Sequence, residues 1–348
     1  MALRGVIRDH QVDERGWALV DHRGRRLAAV PADRFGGEGL VAEIEIARGD
    51  LARILHEATV NDVDWRFGDR VSALAQTGGG VDVNYAGGGR ERFDVVVAAD
   101  GARSGVRALA FGPAAEFVRP IGSCGAYFTV PDPGDLDHWF ELYNAPGGRV
   151  AGLRPGRGGT AKASLGFRST EPYRRPSREE QFRRLEERFA GVGWRVPGFL
   201  AALREAPDFY FDEFSQVRVE RWARGRVVLL GDAGYCGSPL AGTGTSLSLV
   251  GAYVLAGELA AADRPEDAFA AYQARLADYV AEGTRLPPGG LPMFAPNSRL
   301  TIRMRALSMR LSAVWPIRGL IAGQLGKAEA ITLPEYTIAG RRRYPQVG

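Results

Sequence analysis

The chain has 348 residues, 45% of them hydrophobic and 25% charged, the mix of a soluble globular protein of about two domains. That excludes a disordered, coiled-coil or collagen-like chain. No run approaches the roughly 18–20 apolar residues of a membrane span, so no integral membrane association is expected. The net charge is +4, but arginines alternate with acids, as in residues 175–188, and Lys162 and Lys327 are the only lysines. This balance predicts a solvated surface and no nucleic-acid partner. The first residues carry charge throughout and have no apolar signal region. Cys124 and Cys236 build neither a disulfide framework nor a metal cluster. The expected location is the reducing cytoplasm.

Residues 4–37 predict short strands. Trp17–Asp21 and Arg26–Val30 flank a hairpin turn at His22–Arg25, with Gly24 at its tip. A helix follows Arg48, from Asp50 to Ala58, with Leu51, Ile54, Leu55 and Ala58 at helical spacing. Strands are expected at Val71–Gln76, Val81–Tyr85 and Phe93–Ala99, separated by glycine turns at Gly78–Gly80 and Gly87–Gly89. The third strand is apolar on both faces, the pattern of a strand covered on both sides. Asp100-Gly101 follows it. Val227–Leu230 repeats the pattern and runs into Gly231-Asp232. An acid just past the carboxyl end of a buried strand stands where open α/β sheets bind ligands. The two strands are therefore expected side by side in one parallel sheet.

Between them, Ala126–Val130, Trp139–Tyr143, Arg149–Leu153 and Ala161–Phe167 predict antiparallel strands. One helix interrupts these strands. Ser177 and Glu180 form its capping box, and Phe182, Leu185 and Phe189 its apolar stripe. After Asp232 comes a glycine-rich loop, Gly237–Gly244, and a helix from Thr245 to about Ala262 that is apolar nearly all round and expected to be buried. A further helix begins at Pro265, with Phe269, Tyr272, Leu276 and Val280 inward. Pro287–Gly290 breaks the chain, and a last helix runs from about Ser298 to Val314. Leu300, Met304, Leu307, Leu311 and Val314 form one stripe on it; Ile302, Ala306, Met309 and Ala313 lie opposite. Arg299, Arg303 and Arg310 sit to one side. Two opposed stripes predict a strut between two layers; a basic helix lying on a membrane is the alternative.

The histidines, His10, His22, His56 and His138, stand at no metal-ligand spacing, so no metal is expected. There is no nucleophile elbow and no P-loop. Cys236 is read as a small buried thiol. Three segments remain. Arg48-Gly49-Asp50-Leu51 opens a helix. Asp100-Gly101-Ala102-Arg103-Ser104-Gly105-Val106-Arg107 gives D-G-x-x-S-x-V-R. Gly231-Asp232-Ala233 leads to Pro239-Leu240-Ala241-Gly242-Thr243-Gly244. In this order they resemble the class A FAD-dependent aromatic monooxygenases of the para-hydroxybenzoate hydroxylase fold, most of all the tetracycline-inactivating branch.

The resemblance implies an α/β fold: a Rossmann-like FAD-binding domain, an inserted and mostly antiparallel substrate sheet, and a C-terminal bridging helix. It implies substrate-domain strands in residues 1–37, FAD-binding segments at 38–112 and 223–285, the substrate domain at 113–222, and the bridging helix and tail at 286–348. The activity implied is hydroxylation of an aromatic or polyketide-like molecule with NAD(P)H and O2, without a required side-chain acid or base. The cofactor residues implied are Arg48, Asp100, Arg107, Asp232, Pro239, Gly242, Thr243 and Gly244. Asp232 would accept from a hydroxyl of FAD. Asp100 and Arg107 would lie near the pyrophosphate and the NAD(P)H route. Gly242–Gly244 would let the backbone approach a flat ring.

Two departures stand out. Tyr235 replaces the family's histidine, and the opening β-strand with G-x-G-x-x-G is not in the sequence. The expectation is a truncated gene model that leaves that unit out. A non-catalytic ligand-binding remnant is the alternative. A halogenase is disfavoured, because neither lysine lies in a halogenase context.

Overall fold

The computed structural model describes residues 3–32, 45–171, 173, 175–312 and 331–336. Helix α1 (Leu3–Asp9) comes first, where strands were expected. Its residues 3–9 have no apolar alternation to pair in a sheet, and the His10 ring bonds the Val6 carbonyl one turn back. Strands β1 (Gly16–Val20) and β2 (Arg26–Pro31) form the expected hairpin. Gly16 packs so closely that a Cβ there would meet the Val30 carbonyl at 2.3 Å. Helix α2 (Arg48–Glu57) begins at Arg48 itself. Strands β3 (Val71–Thr77), β4 (Gly80–Tyr85) and β5 (Arg90–Phe93) make a three-stranded antiparallel sheet.

The expected strand 93–99 is thus divided. Phe93 ends β5, and β6 spans only Val96–Ala98. Helices α3 (Gly105–Ala110) and α4 (Ala114–Phe117) lead into β7 (Val118–Pro131), then β8 (Trp139–Ala145), β9 (Arg149–Pro155) and β10 (Thr160–Arg168). Helices α5 (Arg178–Phe189) and α6 (Val196–Ala202) precede β11 (Tyr210–Val217). Ser177 caps α5, accepting from the Glu180 N–H. The second half of the box is replaced, because the Glu180 carboxylate takes Arg183 and Arg184 instead.

The large sheet has the order β11-β7-β10-β9-β8-β1-β2. All its pairs are antiparallel except β1 with β8. Strand side chains alternate between faces. Ala126 and Phe128 of β7, Leu153 of β9 and Leu165 of β10 pack under Phe182, Leu185 and Phe189 of α5 and Phe199 of α6. The opposite face carries Tyr127, Ser164, Gly152 and Arg154, which are aligned across β7, β10 and β9.

Strands β12 (Ala223–Arg224) and β13 (Val227–Leu229) return the chain to β6. β13 and β6 are parallel neighbours, with Val227 beside Val96 and Leu229 beside Ala98. The expected pairing is present, in a sheet of three strands, β12-β13-β6. Burial is one-sided at β6. Val227, Val228 and Leu229 are fully buried, whereas Val97 is 39% exposed. Two-sided apolarity therefore overstates the cover on β6 among the described residues. Helices α7 (Asp232–Tyr235), α8 (Gly244–Ala261) and α9 (Pro265–Gly283) follow. Val254 and Leu255 of α8 and Phe269, Tyr272 and Leu276 of α9 complete the core over β13. Leu249 and Tyr253 of α8 are exposed, so that helix is not buried all round as expected. By length and composition α8 also meets the bounds of a membrane span, contrary to the sequence reading. Its packing on α9 and β13 makes it a domain helix.

Helices α10 (Gly290–Phe294) and α11 (Arg299–Ser312) end the described fold. Leu291 and Ala295 join Ala306 and Met309 against Leu19, Val30 and Leu142 of the large sheet. The opposite stripe of α11, Leu300, Met304 and Leu307, is exposed. The strut expectation therefore holds for one face among the described residues. Its continuation through Ala313 and Val314 lies outside those residues, as does the tail except for 331–336, where Tyr336 donates to Glu258 and Pro334 accepts from Tyr253 of α8. Residues 33–44, part of the predicted first two segments, also lie outside the described residues.

Leu229→Ala should lower the unfolding free energy by about 2–5 kcal/mol, through lost transfer energy and a cavity. Val97→Ala, on the open face of the neighbouring strand, should change it by less than about 1 kcal/mol. Urea titration of both variants checks this; equal losses would mean that the Val97 face is covered.

Candidate functional site

The end of β13 shapes the site. Gly231 turns the chain at φ 61°, and a Cβ there would sit 2.7 Å from the Ser248 hydroxyl. Asp232 then opens α7. Pro239–Ala241 form a 3-10 turn, Gly242 takes the left-handed conformation at φ 77°, and Gly244 starts α8. Neighbours fix this loop. The Thr243 hydroxyl donates to the Gly283 carbonyl at 2.5 Å, at the end of α9. Gln216 of β11 donates to the Thr284 carbonyl at 2.8 Å.

The loop faces open space. A Cβ at Gly242 would meet nothing within 4 Å, and one at Gly244 would find Asp232 Oδ1 at 3.8 Å as its nearest neighbour. The first N–H groups of α8 have no partner within their own helix, so a partial positive charge lies beside the Asp232 carboxylate. Arg48 approaches the same region from α2. Burial and then Asp232 push the Cys236 thiol up to about 12, while the Arg48 charge pulls it down. Cys236 is thus the buried, inert thiol expected. Burial also raises the phenol of Tyr127, against the charges of Arg48 and Arg154. The Arg48 charge thus acts both on Cys236, beside the Asp232 turn, and on Tyr127 of β7.

Asp100 and Arg107 lie behind the Asp232 turn. Asp100 accepts from the Ser104 hydroxyl and from the Val106 N–H. Arg107 is fully buried. It donates to the carbonyls of Ala233 at 2.8 Å and Ala102 at 2.7 Å. Its guanidinium is enclosed by backbone, which differs from the expected ligand-facing pair. The reason is its place on α3, which points it inward beneath the Asp232 turn.

Several residues escaped the sequence reading. Arg103 donates to Asp212 of β11 through Nε at 2.9 Å and Nη2 at 2.7 Å, and stacks over the Tyr173 ring at 4.2 Å. The Tyr210 hydroxyl donates to the same carboxylate at 2.9 Å. This latch joins the D-G-x-x-S-x-V-R loop to the large sheet. β11 had no clear signal, since Asp212 and Glu213 interrupt its apolar run. On the sheet face, Arg154 Nε lies 2.8 Å from Glu14 Oε1, but off the donor axis, so the contact is an ion pair without an aligned hydrogen bond. Arg154 also pairs with Glu45 and covers the Phe140 ring at 4.7 Å. Burial pushes the Glu14 carboxyl up to about 7, against the pull of Arg154. An acid at the end of a charged N-terminal segment carries no sequence signal for such burial.

Comparison with known proteins gives a consistent picture. Residues 45–287 match the family model of the FAD binding domain. A protein of Mycobacterium tuberculosis, named only as uncharacterized, is 41% identical over 302 residues, spanning 85% of this chain and 80% of that one. An FAD-dependent monooxygenase of Sarocladium schorii is 32% identical over 354 residues, spanning 95% and 83%. Among solved structures, tetracycline destructase Tet(55) aligns with a TM-score of 0.76 at 31% identity, over 96% of this chain and 84% of that one. Tetracycline destructase Tet(51) aligns at 0.77 and 28% identity, over 97% and 84%.

The raised Glu14 pKa has a pH consequence. The folded state holds this proton more tightly than the unfolded state, whose carboxyl keeps its ordinary value. The resulting stability is complete below about pH 4.5 and is lost as the pH rises through about 7. Glu14→Gln should flatten that part of the profile. Urea unfolding of wild type and variant at about pH 5 and about pH 8 checks it; parallel profiles would refute the assignment.

Proposed function

This chain belongs to the FAD binding domain family, among the flavin-dependent monooxygenases, and we propose that it hydroxylates an aromatic or polyketide-like small molecule with NAD(P)H and O2. The observation that carries the reading is the Gly242–Gly244 loop. It opens onto free space beside Asp232, at the N-terminus of α8, with Arg48 close by. A Cβ at either glycine would fill the cradle that a flat ring needs.

When bound, FAD supplies the exchange of electrons with NAD(P)H and O2. In this reading the chain supplies position and charge. The N–H groups opening α8 stabilise negative charge at the edge of a ring. Asp232 accepts a hydrogen bond from a hydroxyl, Arg48 adds a cation, and Pro239 fixes the approach of the loop. Asp100 and Arg107 act indirectly, by holding the turn that aims Asp232. The substrate lies against Tyr127, Ser164 and Arg154 on the large sheet. Gly152 lets its neighbours close in on that face, since a Cβ there would strike the Ser164 hydroxyl at 2.6 Å and Leu142 at 3.1 Å. The likeness to tetracycline destructases supports a polycyclic, polyketide-like substrate.

Gly244→Val should lower the bound flavin, read from its visible absorbance, much more than Gly78→Val. Both Cβ atoms have room in the protein alone, and only Gly244 faces the proposed ring. Equal flavin content would remove the loop from the site. NAD(P)H-dependent O2 uptake, stimulated by tetracycline as the test polyketide, checks the activity; no stimulation would count against this substrate class.

A further inference from the structure

The last described helix is basic. Residues 286–312 hold four arginines, Arg299, Arg303, Arg305 and Arg310, and no Asp or Glu; the remaining chain has 41 basic and 41 acidic residues. The four arginines all lie on α11, a helix without an acid. That helix is anchored from one side only. Ala306 and Met309 pack into the core against β2 and β8. Arg305 is turned inward, donating to Asn144 Oδ1 at 2.6 Å and to the Phe294 carbonyl at 2.8 Å.

The other side is apolar and open among the described residues. Leu300, Met304 and Leu307 are 67%, 60% and 56% exposed. At spacings of four and three they form one stripe along the helix. Arg299, Arg303 and Arg310 are exposed beside it. Scattered exposed apolar residues need no explanation, but an aligned stripe edged by one sign of charge does.

We propose that α11 is a docking face for an anionic lipid surface. The helix would lie in the interfacial plane, with the Leu300–Met304–Leu307 stripe inserted at the headgroup boundary and the flanking arginines on acidic headgroups. One flank of the stripe carries the arginines and the other only the small hydroxyls of Thr301 and Ser308, with no acid on either, the pattern that suits acidic headgroups. The attachment is shallow and reversible, because three side chains and a few charges fall far short of a membrane span. The proposal does not depend on the flavin reading.

The test is co-sedimentation of the whole protein with phosphatidylcholine vesicles, with and without phosphatidylserine. Binding to the serine-lipid vesicles, lost at high salt, is expected. The triple variant Leu300→Gln, Met304→Gln, Leu307→Gln should weaken it tenfold or more. Arg299→Gln and Arg303→Gln should each weaken it by about fivefold. Circular dichroism melting of each variant verifies that it is folded; should the triple variant melt early, Arg299→Gln and Arg303→Gln, on the solvent side, decide alone. Three results would overturn the proposal: equal binding to both vesicles, no binding to either, or light scattering showing a dimer that the triple variant dissociates.

Discussion

The buried guanidinium of Arg107 is the contact on which the site depends. It bridges the carbonyls of Ala102 and Ala233, and so ties the turn after β6 to the turn after β13. No carboxylate bonds it directly, and burial lowers its pKa while the Asp100 charge raises it. A charge held this way is expensive to leave unpaired. The two turns are therefore locked together: neither can move without stripping bonds from the cation. Asp232, next to Ala233, inherits its position from that lock.

The large sheet is registered onto this floor by separate polar contacts. Arg103 reaches from the same loop to Asp212, and Gln216 fixes the end of α9. Both partners lie on β11, the edge strand nearest the floor. One sheet face is sealed by α5 and α6, and part of the other is covered by α10 and α11. Gly152 lets Ser164 and Leu142 pack closely on that face, and Tyr127 and Arg154 give it polarity. Charged groups there are held from behind, as Glu14 and Glu45 hold Arg154.

Much of this was legible in the sequence, for physical reasons. Val227–Leu230 and Asp232 announced a strand end at a ligand site because buried parallel strands tolerate no polar residue before their termini. Ser177 and the spacing of Phe182, Leu185 and Phe189 specified α5, since cap and stripe are local properties. The helix at residues 3–9 was missed because short segments are decided by what they pack against. The split of 93–99 was missed because Phe93 and Val96 are both apolar, and only pairing partners separate them. Arg107 was assigned to the ligand because its motif shows the residue type, while its enclosure by Ala102 and Ala233 is tertiary. The same holds for the open side of α11: composition gives two stripes and cannot say which of them finds a neighbour.

The parallel pair β6–β13 joins residues 96–98 to residues 227–229, and the whole large sheet except its first hairpin lies in the chain between them. Strands β8, β9 and β10 pair in succession through short turns, whereas β6 and β13 meet only after a closure of more than a hundred residues. Loop-closure entropy grows with that separation, and local pairings form sooner than distant ones. The large sheet thus takes shape before the β6–β13 pair closes. Pulse-labelled hydrogen exchange would show amide protection in β8–β10 ahead of β13. A newly made chain would carry a formed sheet face for a time with no Asp232 turn set against it. During that interval the chain has its antiparallel sheet without the parallel pair that anchors the Asp232 turn.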